Sequence, residues 1–131
     1  MPDMTAPEFW QGIEQFNNQE FYACHDTFEA LWMDSCEPTK KFYQGILQIA
    51  VGCHHLGNHN WRGAVILLGE GVRRISDYQP SYGGIDTSSL LDQSLELLEA
   101  LQQIQPEEIS KFAEQLKTNN SDVSLPKITT P

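Results

Sequence analysis

Basic residues are scarce in this chain. Eight Lys and Arg stand against 18 Asp and Glu, for a formal net charge of −10. A nucleic-acid backbone is neutralised by a basic patch, and the nearest approach to one here is Arg62 with Arg73-Arg74, spread over helical turns. The same deficit argues against an anionic membrane surface. Cysteines are few and odd in number: Cys24, Cys36 and Cys53 lack CxxC spacing, so they form neither a disulfide framework nor a zinc ribbon. They read as reduced thiols of a soluble, cytoplasmic protein. No apolar run approaches the roughly 18 residues that span a bilayer. Met1-Pro-Asp-Met-Thr-Ala-Pro7 has no basic region followed by an apolar one, the mark of a signal peptide. Missing too are the glycine-rich run with lysine that cradles phosphate, since Gly69-Glu-Gly71 and Gly83-Gly84 supply neither, and the nucleophile elbow of serine hydrolases.

Strand-like alternation is the last absence, and what replaces it is helical periodicity. Pro7 opens a short helix through Phe9, Trp10, Ile13 and Phe16. Asn17 or Asn18 is the expected cap of a second helix that runs to about Met33, and Thr39 the cap of a long third helix ending near Leu56. Asn60 caps a fourth, Trp61 to about Ile75. Asp77 to Gly84 is the clearest loop. Asp86 or Thr87 caps a fifth helix bearing Leu90, Leu91, Leu95, Leu98 and Leu101, and Pro106 opens a sixth through Leu116. The expected architecture is all-α: one domain over residues 1–131, a compact antiparallel bundle of five to six helices, with residues 118–131 as an irregular tail. Gly45 and Gly52 lie about 20° apart on the third helix and form a smooth strip that lets a second backbone approach.

One segment of the second helix departs from a simple core pattern. In Phe21-Tyr-Ala-Cys-His-Asp-Thr-Phe-Glu-Ala-Leu-Trp32, His25 and Glu29 fall within about 40° of each other among Phe21, Tyr22, Phe28 and Trp32. An ionisable pair on an apolar face serves a function or belongs to a satisfied network, because burying it unpaired costs several kcal/mol.

The third helix supplies a possible complement. Its apolar face is Phe42, Ile46, Ile49, Cys53 and Leu56, and roughly opposite lie Gln44, Gln48 and His55. Leu47, Ala50 and Val51 flank that stripe, and no charge follows Lys41, as expected of a central helix whose polar stripe faces a neighbour. With the second helix as that neighbour, His25 and Glu29 meet Gln48 and His55. Two imidazoles and a carboxylate make a first shell for a divalent ion of the zinc, iron, manganese or nickel kind. Asp26, about 100° from His25, is the weaker ligand. Tyr22 and Tyr43 complete the candidate polar site as hydrogen-bond donors. The bland alternative is a metal-free network of His25, Glu29 and Gln48 with either tyrosine. His54 and His59 make a poor chelate with His55. Cys24 and Cys53 read as small apolar groups, and Trp10, Trp32 and Trp61 as core or rim aromatics.

In order along the chain, these motifs resemble a known family. Phe16-Asn17, Phe21-Tyr-x-x-His25-Asp-x-x-Glu29-x-x-Trp32, Phe42-Tyr-Gln-Gly-Ile-Leu-Gln48-x-Ala50, His55 and Gly57-Asn58-x-x-x-x-Gly63-Ala64 are similar to the helical family catalogued as domain of unknown function 309, over approximately residues 9 to 101. The resemblance implies a small all-helical fold, in a largely prokaryotic and plastid-related family without an established activity. It also implies that His25, Glu29, Trp32, Gln44, Gly45, Gln48, His55, Gly57, Asn58, Gly63 and Ala64 occupy signature positions. Asp26 stands where the family typically has glutamate, which shortens that residue's reach.

Two functional expectations result. The first is a His/Glu/Gln site between the second and third helices that binds a divalent metal or an unidentified small molecule, with metal-assisted hydrolysis as the cheapest chemistry. The second is a non-enzymatic interaction or structural module held in register by a metal-free polar network. Self-association into a homo-oligomer is left open.

Overall fold

The computed structural model describes residues 6–131. The N-terminal stretch read above for a signal sequence lies, up to Thr5, outside the described residues. Six α-helices follow in order: α1 (Pro7–Asn17), α2 (Phe21–Met33), α3 (Thr39–Gly57), α4 (Trp61–Ile75), α5 (Thr87–Gln102) and α6 (Ile109–Lys117). Short 3-10 turns, Ser76–Tyr78 and Pro106–Glu108, follow α4 and precede α6. Among the described residues, extended pairing is confined to an isolated bridge between Tyr82 and Ile85.

Local chemistry sets several boundaries as expected. Pro7 sits in the first turn of α1, where its missing N–H is not needed. Asn60 caps α4 by accepting from Gly63 N at 2.9 Å, and Asp86 caps α5 by accepting from Ser89 N at 2.9 Å. Two expected caps are corrected. Residue Glu20, with no side-chain cap bond, precedes α2, and Asn17 is engaged elsewhere. Thr39 is already the first residue of α3, and its hydroxyl is 2.8 Å from the Tyr82 hydroxyl inside the fold. Pro106 opens the 3-10 turn ahead of α6, where Glu108 Oε1 accepts from Gln105 N at 2.8 Å.

Helix α3 is the centre of the bundle, packed against α4 on one side and α2 on the other. Its contact with α4 is nearly backbone to backbone. A Cβ placed on Gly71 of α4 would lie 2.6 Å from Ile49 Cγ1 and 2.9 Å from both Gly45 O and Ile49 N. A Cβ on Gly52 of α3 would meet Leu68 Cγ at 2.8 Å. The smooth strip therefore faces α4, and close approach accounts for glycine there. On the α2 side the core is aromatic: Phe9 and Phe28 meet edge to face at 5.9 Å, and Tyr43 lies 5.9 Å from Phe28 and 6.1 Å from Phe9. Of the tryptophans, Trp61 donates to Leu101 O at 2.8 Å, tying α4 to the end of α5, and Trp32 lies under the Lys40 ammonium at 4.7 Å.

Candidate functional site

The buried face of α2 is Phe21, Cys24 and Phe28. His25 and Glu29 stand on its flank, so they reach the rim of the bundle instead of its interior. His25 Nε2 is 3.5 Å from Glu29 Oε2, and His25 Nδ1 is 3.2 Å from Asp26 Oδ1. The side chains are 29%, 52% and 62% exposed for His25, Glu29 and Asp26, so water does most of the solvation that burial would have demanded of a partner. The expected pairing of His25 with Glu29 is present; its expected burial is not. Asp26, rated the weaker neighbour, is the closer carboxylate.

The expected partners on α3 face the other way. Gln48 is buried, and its amide spans two residues of α4: Nε2 donates to Glu70 Oε2 at 3.1 Å, and Oε1 accepts from Arg74 Nη1 at 3.1 Å. Gln44, half-buried, lies one turn before Gln48 on the same helix. The His55 ring lies against Gly63 of α4, with Nδ1 3.4 Å from Asn60 Nδ2. The polar stripe of α3 thus does face a neighbouring helix, but that helix is α4, because the glycine strip shares this face and draws α4 in. The proposed assembly of His25, Glu29, Gln48 and His55 is divided: His25 meets Glu29 and Asp26 on its own helix, while Gln48 and His55 are engaged by α4 and its cap. Tyr43 is 4% exposed within the aromatic core. Tyr22 remains at the rim, 63% exposed, with its ring 6.0 Å from His25.

The imidazole that α3 turns toward α2 is His54. Its ring lies 5.5 Å from Tyr22, and its Nε2 is 3.1 Å from Asn58 Nδ2. One residue along a helix is a rotation of about 100°, so His54 and His55 meet different neighbours although their ring centroids lie 6.3 Å apart. The signal in the sequence was Phe21, Tyr22, Val51 and His54 sharing one seam: these residues, with His25, line a small recess between α2 and α3. Glu70 and Arg74 were also missed as partners of Gln48; their spacing of four on one helix face marked them.

His54 also borders a cavity of about 290 Å³ between the start of α2, the end of α3 and α6. Phe21, Cys53, Leu56, Leu116 and Leu125 give it apolar walls; Gln19, Asn58, His59, Glu114 and Lys117 give it a polar rim. His59 holds a left-handed backbone conformation, φ 61°, in the turn after α3, and its Nδ1 is 3.3 Å from Ser110 Oγ at α6. Cys53 supplies no nucleophile to this cleft: burial first, and Cys24 second, pushes its thiol far above the usual range. Burial likewise pushes the Cys24 thiol up to about 12. Among the described residues no three His, Cys, Asp or Glu side chains are grouped so as to hold a metal ion. The split of His25 from His55 is the physical reason.

Residues 9–67 match the model of the family described as "Domain of unknown function (DUF309)". Over that stretch the chain is similar to the DUF309 family. The match takes in α1, α2, α3 and the first half of α4, and therefore His25, Glu29, Gln44, Gln48, His54 and His55. It stops at Leu67, short of the residue 101 to which the motifs extended the resemblance, and leaves Glu70, Arg74 and the wall that α6 gives the cleft beyond the matched DUF309 segment. No curated protein matches the chain. No helix among the described residues is long and apolar enough to cross a membrane.

Proposed function

We propose that this protein is a non-catalytic binding module that takes a small, partly apolar molecule in the cleft between α2, α3 and α6. One observation carries the reading: His54 stands where an apolar-walled cavity of about 290 Å³ meets a rim of amide, imidazole, carboxylate and ammonium groups. Ligand sites are concave, mainly apolar, and fixed by a few convergent polar groups, and a cavity of this volume is at the small end of that class. His54 and His59 supply hydrogen-bonding nitrogens, Asn58 and Gln19 supply amides, and Lys117 supplies the cation for an acidic group on the ligand. A metal-assisted hydrolytic site finds no support in the donor arrangement, since His25 meets only Asp26 and Glu29 at the rim and His55 is engaged by Asn60 at the start of α4. The free cysteines, two of them buried, suit a reducing cytoplasmic compartment.

The test is a screen of indole- and naphthalene-carboxylates by amide-resolved NMR. Shifts should concentrate at His54, Asn58 and Lys117, and Ala113→Trp, which fills the cleft from α6, should abolish them. Shifts scattered over the surface, or untouched by Ala113→Trp in a folded chain, would sink the reading.

A further inference from the structure

The end of the chain is held as a bound peptide is held. Beyond α6, residues 118–125 have no regular structure, and then Pro126 and Ile128 are buried, Ile128 to 3% exposure, while Lys127 and Thr129 face out. The main chain of three consecutive residues is gripped. Asn17, the last residue of α1, donates Nδ2 to Ile128 O at 2.8 Å and accepts from Ile128 N through Oδ1 at 2.7 Å. Gln93 of α5 does the same for Lys127, its Oε1 accepting from Lys127 N at 3.0 Å and its Nε2 donating to Lys127 O at 3.0 Å. Asp86 N donates to Thr129 O at 2.8 Å. Each side-chain amide satisfies both main-chain groups of one residue, as an adjoining β-strand would. Affinity drawn from main-chain bonds, with selectivity from alternate side chains in pockets, is how extended peptides are recognised on protein surfaces. Lys127 adds a charge-assisted bond, Nζ to Asn17 O at 3.0 Å, at the carbonyl end of α1 where a cation is favoured.

Nothing in this grip requires the strand to come from the same molecule. Residues 118–125 could extend about 26 Å, enough to present the tail away from its own groove. We propose that the groove between the end of α1 and α5 is a receptor for an extended peptide, and that its occupant in trans is the Leu125–Thr129 tail of a second copy, exchanged for the chain's own. The clamp is built for an exposed–buried–exposed Lys-Ile-Thr segment behind a buried proline, and every copy of the chain carries that segment. Exchange of an identical element between copies is a low-cost route to association because no new interface has to be made. The inference does not rest on a ligand in the cleft, though Leu125, the first residue of the exchanged segment, is one of the cleft's walls.

The decisive experiment is complementation between two full-length chains. Asn17→Ala with Gln93→Ala disables the groove and leaves the tail intact; Ile128→Asp disables the tail and leaves the groove vacant. Each alone should be monomeric by light scattering, and an equimolar mixture should form a 1:1 heterodimer. A mixture of folded chains that stays monomeric overturns tail exchange. A synthetic peptide of Ser124–Pro131 should bind the Ile128→Asp chain, and adding Asn17→Ala should weaken it at least about tenfold. A folded Ile128→Asp chain that ignores the peptide overturns the receptor itself. Should these variants fail to fold, hydrogen exchange on the unaltered chain decides. Amides of Lys127 and Ile128 that exchange while α3 stays protected support a separable strand, and exchange only with global unfolding overturns it.

Discussion

Two glycines of α4, two residues apart, should respond to the same substitution with opposite signs. Gly69 and Gly71 occupy one continuous helix, so replacing either by Ala gains about 0.8–1.0 kcal/mol of helix propensity. At Gly69 nothing lies within 4 Å of the new Cβ, and the gain stands: Gly69→Ala should stabilise by about 0.5–1 kcal/mol. At Gly71 the Cβ would lie 2.6 Å from Ile49 Cγ1 and 2.9 Å from Gly45 O and Ile49 N. Carbon contacts are optimal near 3.5–4.0 Å, so the shortest of these is about 1 Å inside the well. Two of the three opposing atoms are backbone of α3, and no rotamer change relieves them. Overpacking of this kind costs about 1–3 kcal/mol, and separating α3 from α4 would loosen the most extensive helix contact in the fold. The net for Gly71→Ala is a loss of up to about 2 kcal/mol, which lowers the Tm by up to about 7 °C for a domain of this size. Far-UV circular dichroism during thermal and urea unfolding measures both variants. If Gly71→Ala melts at or above the parent chain, or if both variants move in the same direction, α3 and α4 are not in backbone contact and the glycine argument is wrong.

Other substitutions follow from the same geometry. Gln48→Leu removes the amide between Glu70 and Arg74, both half-exposed, and should cost about 0.5–1.5 kcal/mol in urea unfolding; no loss would mean that water replaces the bridge freely. His25→Asn should change stability by less than about 0.5 kcal/mol, because its two carboxylate contacts are solvent-screened, and a loss above 2 kcal/mol would restore the buried-pair expectation. In the folded chain at neutral pH, iodoacetamide should modify exposed Cys36 alone, since raising the Cys24 thiol to about 12 leaves on the order of a thousandfold less thiolate; mass spectrometry of the partly labelled chain reads this directly. The same shift has a sign for stability. The folded state keeps the Cys24 proton that the unfolded chain releases near 9.0, so this stability is fully present below that pH and drains away as pH rises toward about 12. A Cys24→Ala chain should lose less stability between those limits than the parent, and equal losses would refute the assignment.

Helix positions were legible because period and punctuation agree along most of the chain: Pro7, Asn60 and Asp86 each stand where the structure uses them. The partners of each helix were less legible. On α3, the stripe of Gln44, Gln48 and His55 and the strip of Gly45 and Gly52 adjoin, and their common direction was recoverable. What periodicity does not contain is which neighbour a stripe meets. Assigning it to α2 placed Gln48 beside His25 and made a metal site of residues that α3 itself keeps apart. Glycine decides the matter physically: the smoothest face takes the closest helix, and α4 brings Gly71 to it.

The same logic explains Asn17. In sequence it precedes an apolar helical run, the place where a short polar side chain stabilises a helix start, and capping was the natural expectation. The competing demand comes from 111 residues away, where Ile128 is buried and its N–H and C=O must both be satisfied. Water could solvate the exposed start of α2 in place of a cap. It has less access to the main chain of Ile128, whose bonds to Asn17 are part-buried, so the side chain goes where its absence would cost more, up to about 1–3 kcal/mol for each orphaned group. An Asn17→Asp substitution separates the two roles. Aspartate caps as well as asparagine but offers no N–H to Ile128 O, so it should loosen the tail while leaving the α2 amides as protected as before. Hydrogen exchange that quickens at the start of α2 and not at Lys127 and Ile128 would return Asn17 to the helix and refute the clamp.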